Sequence, residues 1–223
     1  MCGRFTLTVD AHSIQLSFPW LKVPEKITPR YNIAPSQPVA VIPNTGEKKM
    51  DFFIWGLIPS WAKDPKIGNR LINARGETLA EKPSFRTAYR RRRCLILADG
   101  FYEWVKQPGQ NVKSPFLIQL INQKIFAFAG LWETWFSPDG SELKTTTIIT
   151  TEPNDLVSQI HARMPVIIPE HAYDLWLESD EKSLEELKHL LRPYPSDEMI
   201  QFPVSRVVNS PANDSPACIE PLQ

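Results

Sequence analysis

Twenty-one prolines stand against nine glycines in this chain of 223 residues, and that ratio constrains the fold more than any other feature. Proline fixes φ and carries no N–H, so it ends helices and stiffens loops. The expected architecture has many fixed loops and few long helices. A chain of this length is one large domain or two small ones, and is long enough for a substantial core. No repeat, low-complexity tract or linker divides it. The expectation is one domain over residues 1–223, with a core from about residue 2 to 208 and a proline-rich C-terminal tail.

Local patterns place the elements. After a short strand at residues 4–7, Asp10 can cap a helix that ends before Pro19. Residues 30–35 read as a fixed loop. Residues 39–42 and 50–55 read as a hairpin around Asn44-Thr45-Gly46, followed by an aromatic-bearing loop at 56–61. Residues 77–82 are all good helix formers and read as a helix start, with a second short helix at 85–89. Residues 94–97 have the length of a buried strand, 101–105 alternate like a strand, and 115–120, 125–131 and 145–150 are further strands. Asn154 caps a short helix that delivers His161. Residues 170–191 have helical spacing interrupted near Ser179-Asp180, and the chain returns at 202–205 before proline-rich coil. The pattern predicts an α+β fold, a single domain with a largely antiparallel, barrel-like β core and peripheral short helices.

Formal net charge is zero, so any contact with nucleic acid must come from a local patch. The three cysteines, Cys2, Cys94 and Cys218, have no paired spacing, which argues against a disulfide framework and a cysteine-based zinc site. No metal or other cofactor is expected. The N-terminus lacks the basic-then-apolar pattern of a secretory signal, and no apolar run is long enough to cross a membrane. The expected setting is the cytoplasm, with no membrane partner. Nothing points to an obligate assembly, so a monomer is expected.

Cys2 carries the most distinctive chemistry. Removal of Met1, common before a small second residue, leaves an α-amine and a thiol on adjacent carbons. An α-amine titrates near ~7.7–8 and an ordinary thiol near ~8.5, so part of the amine is unprotonated at neutral pH and the thiolate needs only modest help. A 1,2-aminothiol reacts with an aldehyde to give an imine, which the thiol closes to a five-membered thiazolidine. With both nucleophiles on one residue the second step is intramolecular. On residues 1–5 alone the favoured reading is the start of a first strand, with Cys2 a small buried side chain.

Other groups suit proton transfer and DNA contact. Glu103 is a lone carboxylate within Phe101-Tyr102-Glu103-Trp104, and strand alternation puts it on an apolar face with Phe101 and Val105. Burial there raises a carboxyl pKa toward the range useful for general acid–base work. His161, beside the rigid Met164-Pro165 corner, has the placement of a proton shuttle. Asn73 and Arg75 flank Ala74 and point the same way in an extended segment, which suits a phosphate and a sugar oxygen and equally a satisfied polar loop. Arg90 to Arg93, with Arg86 and with Trp55, Trp61 and Trp104 for base stacking, offers a basic surface for single strands. Such a run is also what a solvated face looks like.

Met-Cys-Gly-Arg-Phe at the N-terminus, Arg30-Tyr31-Asn32-Ile33-Ala34-Pro35, Trp55-Gly56-Leu57-Ile58-Pro59-Ser60-Trp61, Asn73-Ala74-Arg75, Glu77-Thr78, Cys94-Leu95-Ile96 and His161-Ala162-Arg163-Met164-Pro165 occur in one order. Taken together they resemble the SOS-response-associated peptidase (SRAP) family over nearly the whole chain. The resemblance implies a sensor of abasic sites in single-stranded DNA that cross-links to the ring-opened sugar aldehyde and shields the lesion in the DNA damage response. It implies Cys2 as the nucleophile, Asn73 holding the opened sugar, and Glu103 and His161 managing proton transfers. Arg4, Arg75 and Arg163 would line the DNA path. The resemblance also implies self-removal of Met1, strand cleavage at abasic sites, association with the nucleoid on DNA, and replication-fork proteins as partners. With Met1 retained the α-amine lies in a peptide bond and no ring closes, so its removal is an expectation. Two competing readings are a cysteine peptidase acting on other proteins through Cys2, and a non-covalent reader of modified bases.

Overall fold

The computed structural model describes residues 2–106, 112–122, 124–178 and 184–222. In chain order its strands are β1 (Phe5–Leu7), β2 (Arg30–Ile33), β3 (Pro38–Pro43), β4 (Asp51–Trp55), β5 (Asn73–Arg75), β6 (Arg93–Ala98), β7 (Gly100–Val105), β8 (Ser114–Leu120), β9 (Phe126–Phe136), β10 (Glu142–Thr151), β11 (Met164–Pro165), β12 (Ile167–Ile168) and β13 (Met199–Pro203). The α-helices are short: α1 (Ala11–Ser17), α2 (Arg86–Arg91), α3 (Asp155–Ser158), α4 (Tyr173–Leu177) and α5 (Leu184–Lys188). None of the described helices is long and apolar enough to cross a membrane.

Two sheets share the core. In one, β10 pairs with β4, β4 with β3, β3 with β6 and β6 with β9. β9 then returns to β10, closing a five-stranded ring. All these pairings are antiparallel except β10 with β4, and β5 also runs parallel beside β10. Closure demands a close approach at Gly130 of β9, which faces Cys94 on one side and Ile148 on the other. A Cβ there would meet Cys94 Sγ at 2.8 Å, so the position requires glycine. The second sheet is antiparallel in the order β13-β8-β7-β1-β2, which puts the first strand of the chain in an interior position. Phe5 of β1 packs edge-on against Trp55 at 5.2 Å and Phe128 at 5.7 Å, and so joins the two sheets. This is the α+β, largely antiparallel and barrel-like fold that the sequence predicts.

Several local expectations hold for local reasons. Asp10 caps α1 by accepting from Ser13 N at 2.8 Å, and Asn154 caps α3 by accepting from Val157 N at 2.9 Å. Others are overturned by distant partners. Residues 30–33, read as loop, form β2 because Ile33 pairs with Phe5 and Asp214 Oδ1 accepts from the Tyr31 and Asn32 amides at 2.5 and 3.0 Å. Residues 77–82, read as a helix start, form a 3-10 turn over Gly76–Thr78 and further turns, with Glu77 drawn to Arg163. The residues after 208, read as coil, are also tied down: Asp214 pairs with Arg30, Val204 bridges to Pro221 and Cys218 is fully buried. The interruption expected near Ser179-Asp180 lies outside the described residues.

The arginine run is divided by the fold. Arg93 is fully buried, and its guanidinium donates to the carbonyls of Arg90 and Glu178 at 2.6 Å, Trp176 at 2.9 Å and Tyr89 at 3.1 Å. Arg92 pairs with Glu133 at 2.7 Å. Neither is a free phosphate contact. Trp55, considered for base stacking, is wholly buried and donates to Ile72 O at 2.8 Å.

Candidate active site

The antiparallel register Phe5↔Phe101, continued by a Tyr102 N–H to Arg4 O bond of 3.0 Å, carries the N-terminus along β7 and brings Gly3 opposite Glu103. A buried clamp holds β1 in that register. Asp99 Oδ1 accepts from Thr6 Oγ1 at 2.5 Å, while Oδ2 accepts from Thr8 N at 2.5 Å and Thr8 Oγ1 at 2.6 Å. Asn73, placed by the pairing of β5 with β10, donates from Nδ2 to Cys2 O at 2.9 Å. Its Oδ1 is buried and has no hydrogen-bond partner among the described residues. An unpaired buried acceptor is costly, and a ligand hydroxyl would satisfy it.

Glu103 is 3% exposed, and burial pushes its carboxyl up to about 7. It therefore exchanges a proton at neutral pH. His161, fixed after α3 by an N–H bond to Val157 O of 2.8 Å, has Nδ1 4.0 Å from Glu103 Oε1. Nδ1 lies 3.0 Å from the Arg163 N–H and 3.1 Å from the Arg163 carbonyl oxygen, so the tautomer of the neutral ring decides which bond forms. With Nδ1–H donating to that oxygen, Nε2 is the neutral ring's free base. Burial lowers the His161 pKa, so the neutral ring prevails at pH 7.

Cys2 is fully buried, with its thiol donating weakly to Arg4 O at 3.7 Å. The expected ease of forming a thiolate is not met. Burial, reinforced by the negative charge of Glu103, raises the thiol pKa well above its ordinary value, so the group stays S–H. Thiol, carboxamide, near-neutral carboxyl and neutral imidazole thus converge from four separate segments. Among the described residues no group of three or more His, Cys, Asp or Glu side chains is placed to hold a metal ion.

Residues 1–211 match the SOS response associated peptidase (SRAP) family. The chain belongs to that family. An abasic site processing protein of Bacillus subtilis (strain 168), YoqW, is 47% identical over 223 residues, covering 99% of both chains. The abasic site processing protein HMCES of Rattus norvegicus is 34% identical over 270 residues, covering 99% of this chain and 76% of that one. A crystal structure of a Bacteroides thetaiotaomicron protein superposes with a TM-score of 0.89 at 26% identity over 100% of both chains.

The SRAP fold brings the four expected reactive residues together and distributes the expected DNA contacts unevenly. Arg75 is exposed two residues from Asn73. Arg163 is engaged in a bidentate pair with Glu77 at 2.6 and 2.9 Å and donates to Thr150 O at 2.7 Å. Arg4 is tied to Asn32 Oδ1 and Val208 O, each at 2.8 Å, and lies 5.9 Å from the Trp104 ring centroid. Trp104 is half-buried and donates to Asn209 Oδ1 at 2.8 Å. Trp61 is 59% exposed on the loop after β4, with no hydrogen bond or ring contact to the Cys2 group among the described residues. Sequence reasoning missed the roles of Asp99, Glu77 and Asn32, whose partners lie 28 to 181 residues away along the chain.

Proposed function

We propose that the protein senses abasic sites in single-stranded DNA and joins itself to them through Cys2 once Met1 has been removed. The observation that carries this reading is the convergence of Cys2, Asn73, Glu103 and His161 in a family whose relatives are named abasic site processing proteins. An abasic sugar equilibrates between a closed hemiacetal and an open aldehyde. Neutral His161 takes the C1′ hydroxyl proton while protonated Glu103 gives one to the ring oxygen, which opens the sugar. A hydroxyl of the opened sugar donates to Asn73 Oδ1. The Cys2 amine adds to the aldehyde, its nitrogen passing a proton to Glu103 while protonated His161 returns one to the oxygen. The carbinolamine then loses water with the proton from Glu103, which takes the remaining nitrogen proton as the imine forms. The thiol then adds across the C=N bond and its proton passes to nitrogen, giving the thiazolidine. The product is protein plus DNA minus one water.

The same groups account for two accessory reactions. Glu103 as base for a water attacking the Met1 carbonyl, its proton then passing to the leaving Cys2 nitrogen, gives self-removal of Met1. β-Elimination from the imine, with a base taking the C2′ proton as the 3′ phosphate leaves, gives strand cleavage. Arg75 and Arg163 flank the site for the adjoining phosphates, Arg163 by exchanging Glu77 for DNA. The link shields the lesion at the replication fork, in the cytoplasm at the nucleoid.

The test is the intact mass of denatured protein that begins at Cys2, after incubation with single-stranded DNA carrying one abasic site. A reductant-free adduct of protein plus DNA minus water, absent with Cys2→Ala and with lesion-free DNA, is the expected result. No adduct from protein verified to begin at Cys2 overturns the reading.

A further inference from the structure

One charged surface takes no part in that chemistry. Arg86, Thr87, Arg90 and Arg91, all exposed on α2, line a concavity of about 390 Å³ together with Ala80. The side chains of Arg86 and Arg90 form no hydrogen bond or ion pair with any described residue. Arg92 and Arg93 are held inward by Glu133 and by backbone carbonyls, so the outward charge of the run gathers on this face. On a chain of zero net charge that concentration is a local feature.

Its position relates it to the Cys2 group. Asn73 bonds the Cys2 carbonyl, and Arg75 stands exposed two residues on. Ala80 follows Arg75 by five residues, a length of chain that spans at most ~18 Å. The concavity therefore begins within a few nucleotides' reach of the lesion site. Arg86 and Arg90 are four residues apart on one helix face, a rise of about 6 Å, comparable with the step between successive phosphates of an extended strand. Exposed guanidiniums at that spacing match phosphate oxygens in charge and in hydrogen-bond geometry.

We propose that the α2 concavity is a second phosphate-binding surface, which holds the single-stranded DNA flanking the lesion. The proposal rests on the reading of the Cys2 group as a DNA site. The experiment measures binding of a lesion-free single-stranded oligonucleotide by fluorescence anisotropy across a salt series. Parent protein, Arg86→Gln/Arg90→Gln and the charge-preserving Arg86→Lys/Arg90→Lys are compared, with thermal unfolding as a check on the fold. Loss of two contacts makes the slope of log K against log salt shallower by roughly 1.4, at ~0.7 per phosphate on a single strand. Weaker binding at low salt with that slope, and recovery in the lysine pair, is the expected result.

An unchanged affinity and slope overturns the proposal, as does weaker binding at an unchanged slope, because a lost phosphate contact must release fewer counterions. A parent that does not bind lesion-free single strands overturns it as well. Failure of the covalent reaction with the slope effect intact counts against the Cys2 mechanism and supports the surface.

Discussion

Replacing Glu103 with glutamine separates stability from activity. The carboxyl is 3% exposed, and burial raises its pKa from an ordinary 4.5 to about 7. At ~1.4 kcal/mol per pH unit, that rise corresponds to roughly 3 kcal/mol favouring the protonated form in the folded state. The folded pKa lies above the unfolded one, so the contribution is fully present below about pH 4.5 and is lost as pH rises through about 7. Above that pH the parent holds a buried carboxylate, whereas Glu103→Gln holds a neutral group of nearly the same shape. Urea unfolding should give near-equal stabilities at about pH 4.5, and an advantage to the variant that grows to roughly 3 kcal/mol by about pH 9. The same variant should form the abasic adduct far more slowly, having lost its proton donor. A stability difference that stays flat between about pH 5 and 9 would refute the reasoning, because burial would then not be acting on the charge.

Three further outcomes follow from the geometry. Asn73→Ala removes the bond to Cys2 O and the orphan acceptor, and should slow cross-linking on the order of tenfold, about 1–2 kcal/mol, in single-turnover assays with little change in unfolding midpoint. Glu77→Gln frees Arg163 from an exposed bidentate pair worth ~1 kcal/mol or less, so single-stranded DNA should bind a few-fold tighter while stability barely moves. Asp214→Ala strips the cap from two β2 amides and the partner from Arg30, and should destabilise by about 1–3 kcal/mol, read as a lower urea midpoint at constant slope.

The features legible in the sequence are those decided within a few residues. Asp10 and Asn154 cap helices because a cap needs only the next turn. Strand alternation alone puts Glu103 on an apolar face, and it is buried there. The misread features depend on partners far along the chain. Residues 30–33 lack a strand pattern of their own and are made a strand by Phe5 and Asp214. Residues 77–82 have helical propensity, but Glu77 is drawn to Arg163, 86 positions away. Arg93 in a basic run gives no sign that Trp176 and Glu178 carbonyls await it. The Cys2 thiol pKa is not legible in the sequence because it is set by burial, which belongs to the assembled fold.

The interior position of β1 has a consequence for biosynthesis. β1 pairs with residues 30–33 on one side and with β7, which begins at Gly100, on the other. At ~5–20 residues per second, β7 is translated on the order of 5–20 s after β1. Throughout that interval β1 lacks its second neighbour and Glu103 of β7 has not been made, so the proposed self-removal of Met1 cannot begin. Once β7 arrives, residues 5–7 lie between two strands. The order of synthesis thus delays completion of the Cys2 site until the chain has been translated past Glu103.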